Sequence, residues 1–283
     1  MISSPGWKST SGTNSAASRN EGPAASRSRL VIIPSYNSGT RLAETVRTVL
    51  LVWSPVWVVV DGSTDGSDAS LGRLAPRAGG LRVLRLPANC GKGAAVLHGL
   101  HAAHAEGFTH ALTMDADGQH PACCVPTFMA ASAASPDAMV LGCPVFDASA
   151  PAVRVRGRRI SNWWVGVETL RAGIGDSLCG FRVYPIAPLL AVMQSTRWMR
   201  RFDFDPEAAV RLSWCGVRPI NLPIPVCYFG PEEGGISHFR YGWDNALLTW
   251  MHTRLTLGAA ARLPALLARR NRRRSRQGGV QRD

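Results

Sequence analysis

The chain contains no Cys-x-x-Cys pair, although it carries seven cysteines, at positions 90, 123, 124, 143, 179, 215 and 227. A zinc site built on paired thiolates therefore has no support. The odd count and the adjacent Cys123 and Cys124 also argue against a secreted disulfide framework, so reduced cysteines are expected. No apolar run approaches the roughly 18–20 residues needed to span a bilayer. The N-terminal stretch lacks the apolar core of a signal peptide. The sequence thus predicts a cytosolic protein, neither exported by the usual route nor anchored by a transmembrane helix. Acidic residues are also scarce, 19 against 32 lysines and arginines, which gives a formal net charge of +13.

That excess sits at the ends. Arg262 to Asp283 holds eight arginines and one aspartate, and the first 29 residues set Lys8, Arg19, Arg27 and Arg29 against Glu21. The body between them is only mildly basic, so charge by itself does not indicate a nucleic-acid-binding domain. With 283 residues, 46% of them hydrophobic, the chain can build one large domain with appendages.

Residues 1–28 are rich in Ser, Ala, Gly and Asn without periodicity and read as a disordered leader. Order is expected from Arg29, and a folded domain over 29–240. Leu30-Val31-Ile32-Ile33 is a short apolar run that fits a buried parallel strand and ends at Pro34. A helix follows over Arg41–Leu51, with Leu42, Val46, Val49 and Leu50 on one face. Val56–Val60 ends at Asp61, and Leu81–Leu86 reads as a third strand. Helical residues span Ala94–Ala105, and Ala111–Met114 forms a fourth strand that ends at Asp115. Strands alternating with helices predict an α/β fold with a mostly parallel central sheet flanked by helices. Ligands of such sheets bind at the carboxyl ends of the strands, where Pro34, Asp61 and Asp115 all fall.

Asp115-Ala116-Asp117 follows an apolar strand directly. Side chains two apart in an extended segment point the same way, so both carboxylates can face one ligand. Such oxygens suit Mg²⁺ or Mn²⁺, whose shell is completed by phosphate oxygens. Gln119 and His120 lie close enough to assist. An isolated Asp-x-Asp can also be a simple turn, so the context matters. Asp61-Gly62-Ser63-Thr64-Asp65 ends another buried strand, with a glycine that permits close backbone approach. Pro34-Ser35-Tyr36-Asn37 and Asn89-Cys90-Gly91-Lys92-Gly93 add an aromatic ring, an amide and a cation.

Together these segments resemble family 2 glycosyltransferases of the GT-A fold, and in particular their polyprenyl-phosphate branch, which contains dolichol-phosphate mannose synthase. The matching pieces run from Val31 to Asn37, Val59 to Asp65, Asn89 to Ala95 and Met114 to Pro121. Asp176-Ser177-Leu178-Cys179-Gly180-Phe181-Arg182-Val183-Tyr184 is similar to that branch's acceptor-side segment. The resemblance covers about residues 30–240. It implies an inverting, metal-dependent transfer of sugar from a nucleotide diphosphate donor, UDP- or GDP-linked. The acceptor it implies is lipid-linked, a polyprenyl phosphate or a lipid hydroxyl.

By the same resemblance, the donor-binding set is Pro34, Tyr36, Asn37, Asp61, Ser63, Lys92, Asp115, Ala116, Asp117 and His238. Asp115, Asp117 and Gln119 would hold the metal. Asp205, Asp117 and Arg182 form the catalytic set, with Asp205 as general base for a hydroxyl acceptor. A phosphate acceptor needs cations instead, and Arg154, Arg156, Arg158, Arg159 and Arg182 lie in the appropriate half of the chain. One departure stands out. In Gly235-Ile236-Ser237-His238 a histidine occupies the position where many polyprenyl-phosphate relatives carry lysine.

From Trp243 to Leu267, apolar residues recur at helical spacing and Pro264 interrupts them. The segment 241–268 reads as an amphipathic helical arm and 269–283 as a basic tail. Together they suit an anionic membrane surface and place the protein at the inner face of the membrane. Two alternative functions fit the sequence less well. A sugar-1-phosphate nucleotidyltransferase would share the fold, but its glycine-rich lead-in after the first strand and its later Pro-Lys are missing around Ser38-Gly39-Thr40-Arg41-Leu42. A non-catalytic nucleic-acid-binding protein would need basic residues interleaved with aromatics on the body, and no nucleic-acid partner is expected.

Overall fold

The computed structural model describes residues 24–74, 79–146, 152–227 and 241–279. A seven-stranded sheet forms the centre, in the order β5 (Leu81–Leu86), β4 (Val56–Asp61), β2 (Arg29–Ser35), β6 (His110–Thr113), β8 (Arg182–Pro185), β7 (Ala138–Val145) and β9 (Arg218–Pro225). All neighbouring strands run parallel except β8, which is antiparallel to both β6 and β7. The expected mostly parallel α/β sheet is what forms.

The apolar runs explain the sheet's centre. Alternate residues of a strand face opposite sides, and here both sides are covered. Leu30, Ile32, Trp57 and Val59 enter one core with helices α3 (Lys92–Ala105), α6 (Ile186–Gln194) and α7 (Phe204–Cys215). Val31, Ile33, Val58 and Val60 enter the other with α1 (Arg41–Leu50) and α4 (Val125–Ala134). In α1 the buried residues Leu42, Thr45, Val46 and Val49 lie three or four apart, one helical stripe. Two-sided burial is why β2 and β4 read as unbroken apolar runs rather than alternating ones.

Two expectations about the ends need correction. Order does not wait for Arg29, because β1 (Ala24–Ala25) pairs in parallel with β3 (Trp53–Ser54); α2 (Ala69–Leu74) follows β4 in the chain. The first 23 residues of the expected leader lie outside the described residues. At the other end, α8 (Tyr241–Ala261) is not an arm apart from the body. Its Met251, Leu255 and Ala259 join Val165 of α5 (Ala152–Glu168) and Val210 and Trp214 of α7 in a third apolar cluster, to which α9 (Leu263–Gly279) adds Leu266. The helix breaks at Arg262, and Pro264 falls in the first turn of α9, where its missing N–H costs nothing. The expected basic tail is helical as far as Gly279.

Candidate active site

A cleft of about 1380 Å³ opens over the carboxyl ends of β2, β4 and β6 and continues between α5 and α8. The half under the strand ends is lined by Asp61, Lys92, Asp115, Asp117 and Asp205, while the half between α5 and α8 mixes Ile160, Trp164, Trp243, Leu248 and Leu257 with polar residues such as Arg158, Ser161 and His252. The volume exceeds the upper end of the usual ligand-pocket range, roughly 1,000 Å³, which leaves room for two substrates.

Lys92 opens α3 and reaches across the cleft floor. Its Nζ lies 2.6 Å from Oδ1 of Asp115 and 2.6 Å from Oδ2 of Asp205. Burial alone would favour a neutral amine, but the two carboxylates hold the ammonium charged. Burial likewise opposes the charge on Asp115, and Lys92 overrides it, so the Asp115 carboxyl lies below its ordinary value. Asp205 behaves differently. Burial raises its carboxyl despite Lys92 and Arg182, and its buried Oδ1 has no hydrogen-bond partner among the described residues. Gly180 is what lets the chain pass so close. A Cβ there would lie 2.3 Å from Oδ2 of Asp115 and 2.7 Å from Nζ of Lys92.

Asp117 accepts the Gln119 backbone N–H at 3.0 Å through Oδ1. Burial first, and then the charge of Asp115, push its carboxyl up to about 6. The Asp-x-Asp backbone is itself anchored, since Thr45 Oγ1 donates to the Ala116 carbonyl at 3.2 Å. Two close carboxylates, one of them reluctant to ionise, form a donor set that a divalent cation would relieve. No group of three or more His, Cys, Asp or Glu that could hold a metal occurs among the described residues. A hard cation that draws its remaining ligands from phosphate oxygens and water requires no such group. The residues therefore fit Mg²⁺ or Mn²⁺, with Asp115 and Asp117 as protein ligands and Gln119, also in the lining, beside them.

Several expected contact residues turn out to brace the site. The Asp61 carboxylate receives the Cys90 N–H at 2.8 Å and the Gly91 N–H at 2.7 Å, tying β4 to the loop before α3. Next to it, Gly62 has φ +65°, and a Cβ would meet the Ala88 carbonyl carbon at 2.4 Å. The Asn37 N–H donates to Ser63 Oγ at 3.0 Å, and its Oδ1 accepts the Thr64 N–H at 2.8 Å. Asn37 and Ser63 thus join two strand-end turns and are not part of the cleft lining, whereas Pro34, Tyr36 and Ala116 are. Arg182 needs a firmer correction. It is fully buried and donates to the carbonyls of Asp205 and Asp176 and to Tyr184 Oη. A cation spent on carbonyls behind the wall positions Asp205 rather than touching substrate. His238 lies outside the described residues.

The cleft also holds residues the sequence did not single out. Arg201 lines it, as do Ser161 and His252. Among the arginines expected on the acceptor side, Arg158 lines the cleft and pairs with Asp176, while Arg156 and Arg159 are exposed elsewhere. Arg201 and His252 come from a loop and from a late helix, and neither belongs to the site set expected from the sequence. Only the packing of α7 and α8 brings them to the strand ends.

Carboxylate-tipped parallel strands, one antiparallel strand and a shared cleft define the GT-A glycosyltransferase fold. Its solved representatives include glucosyl-3-phosphoglycerate synthase from Mycobacterium tuberculosis. The complex of that protein with Mn²⁺, UDP-glucose and phosphoglyceric acid matches with a TM-score of 0.58 at 14% identity, over 83% of this chain and 80% of that one. The complex with Mn²⁺, UDP and glucosyl-3-phosphoglycerate gives a TM-score of 0.54 at 17% identity, over 86% and 80%. The chain belongs to glycosyl transferase family 2, whose family model matches residues 30–193. It is also 26% identical over 209 residues to undecaprenyl-phosphate mannosyltransferase from Micrococcus luteus, covering 69% of this chain and 82% of that protein.

Proposed function

We propose that this family 2 glycosyltransferase moves a sugar from a nucleoside diphosphate, uridine- or guanosine-linked, to a lipid-linked acceptor with inversion, at the inner face of a membrane. The observation that carries the reading is the convergence of Asp115, Asp117, Lys92 and Asp205 on one cleft whose other half presents large apolar side chains among polar ones. Asp115 and Asp117 would hold a divalent cation, which neutralises charge building on the leaving diphosphate. Tyr36 and Pro34 border the space for the base. Lys92 keeps Asp205 and Asp115 a fixed distance apart, so the acceptor meets the anomeric carbon from the Asp205 side.

The Oδ1 of Asp205, without a hydrogen-bond partner among the described residues and on a carboxyl raised by burial, supports proton removal from a lipid hydroxyl. A polyprenyl phosphate needs no base, and Arg201 in the lining supports that acceptor, in keeping with what the Micrococcus relative's name says it acts on. The arginines of α9, with Arg269 and Arg270 exposed, support attachment to an anionic surface. Among the described residues no helix is long and apolar enough to cross a membrane. The test is donor turnover. Purified protein with Mn²⁺ and membrane lipid should release UDP or GDP from a nucleotide sugar, and Asp117→Asn should abolish release while keeping its thermal midpoint. Full turnover by the variant in chelator overturns the reading.

A further inference from the structure

Helix α5 turns five side chains to one outer face. Arg156, Arg159, Ile160, Trp163 and Val167 follow at intervals of one, three or four along the helix, a single stripe, and all are exposed. Ile160 is 62% exposed and Trp163 58%. The opposite face of the helix is fully used: Val165 packs in the third apolar cluster, and Ser161 and Glu168 bond to His252 of α8. Helix α8 carries a second outer stripe, Trp243, Trp250 and Leu257, each seven residues from the next, with Trp243 at 69% and Leu257 at 66% exposed. Ile160, Trp243 and Leu257 all line the cleft, so the two stripes adjoin at its mouth.

Among the described residues of α5, α8 and α9, exposed charge has one sign. Arg156 and Arg159 share the stripe of Trp163. The acidic residues of α5 and α8 among the described ones, Glu168 and Asp244, are both buried, and α9 has none. A set of large apolar side chains flanked, among the described residues, by cations is an interaction surface for something apolar and anionic at once. A second copy of this chain would set cation against cation. A nucleic acid would satisfy the arginines but leave Ile160, Val167 and Leu257 in water.

We infer that the outer face shared by α5 and α8 docks on an anionic phospholipid bilayer. Trp163 and Trp250 sit at headgroup depth, the depth tryptophan favours. Ile160, Val167 and Leu257 enter the acyl boundary, and Arg156 and Arg159 meet lipid phosphates. The mouth of the cleft then opens against the membrane. The inference rests on the lipid-acceptor reading for its partner and names a different surface from the arginine-rich end, so binding survives in part when residues 272–283 are removed.

The experiment compares the full chain with Trp163→Ser/Val167→Ser on phosphatidylcholine vesicles with and without phosphatidylglycerol. Neither residue lines the cleft. The double variant should sediment with the anionic vesicles about fivefold less than the parent, while the parent leaves neutral vesicles largely unbound. Trp163→Phe, which keeps a ring and the fold, should lose the Trp163 share of fluorescence quenching by bromine-labelled lipid. Undiminished quenching overturns the inference even if the double variant unfolds. Undiminished sedimentation of a folded double variant does so too, as does parent protein that binds RNA or DNA but not vesicles. Stabilisation by UDP or GDP is measured in parallel. Its absence alongside normal vesicle binding sinks the transferase reading and leaves the docking face standing.

Discussion

Lys92 and Asp205 lie 113 residues apart in the chain and meet at 2.6 Å, with the same ammonium equally close to Asp115. The contact joins the first turn of α3 to the first turn of α7 across the cleft, and it gives the two carboxylates a shared resident cation. A metal on Asp115 must compete with that ammonium, so metal and donor are expected to load together, with the diphosphate offering Lys92 a new anion.

Replacing Lys92 with methionine separates the two roles of the ammonium. Manganese binding without nucleotide should strengthen by about tenfold, or roughly 1.4 kcal/mol, because the competitor is gone. Turnover should fall by at least about a hundredfold, because Asp205 loses its anchor and the diphosphate its counter-charge. Titration of Mn²⁺ by electron paramagnetic resonance, paired with nucleotide release, reads both. Weaker manganese binding in the variant would show that Lys92 does not compete with the metal.

Asp117 gives the site a pH dependence with two opposed signs. Its carboxyl lies at about 6 in the folded chain against an ordinary 3.8, through burial and the neighbouring Asp115. The folded state therefore holds this proton more tightly than the unfolded one. Its contribution to stability is largest below 3.8 and is lost as pH rises through about 6. Cation binding runs the other way, since the ion must displace the proton. Manganese affinity should grow roughly tenfold per unit as pH climbs toward 6 and level off above it. Thermal melts with and without Mn²⁺ at pH 5, 6 and 7 should show the metal-induced shift widening along that series. A constant shift would mean that Asp117 does not ligate the ion.

The parts of this site that could be read in the sequence are those in which one short segment carries both its own structure and its chemistry. Val56–Asp61 is an apolar strand whose last residue is a carboxylate, and two-sided burial leaves few other readings for it. The Asp-x-Asp after β6 is legible for the same reason. Arg182 was not, because an arginine at the start of a strand looks alike whether it faces substrate or the carbonyls of Asp205 and Asp176. Helix α8 misled in a further way. It carries apolar residues both on the face that packs, at Met251 and Leu255, and on the face that does not, at Trp250 and Leu257. Periodicity cannot rank two apolar stripes on one helix, and only the partner helices α5 and α7 decide between them.

The last expectation concerns the polar seam that holds α8 to α5. Ser177 Oγ donates to Asn162 Oδ1 at 2.7 Å, so in its 3.1 Å contact with Ser161 it must accept. Ser161, having given its proton to Ser177, in turn accepts from His252 Nε2 at 3.1 Å. That fixes a proton on Nε2 and leaves Nδ1, 2.8 Å from Glu168 Oε1, to share one further proton with a buried carboxyl. Burial raises the Glu168 carboxyl, and its Oε2 has no hydrogen-bond partner among the described residues. The Ser161–His252–Glu168 spacing resembles a hydrolytic triad, but the serine proton points away from the imidazole, so a structural seam is the consistent assignment. His252→Ala strips from a fully buried glutamate its one side-chain hydrogen-bond partner among the described residues and should cost about 3 kcal/mol. Glu168→Leu/His252→Leu removes both polar ends and should recover at least half of that loss, as measured by urea denaturation. If the double variant is less stable than the single one, the proton count above is wrong and the pair contributes through contacts outside the seam.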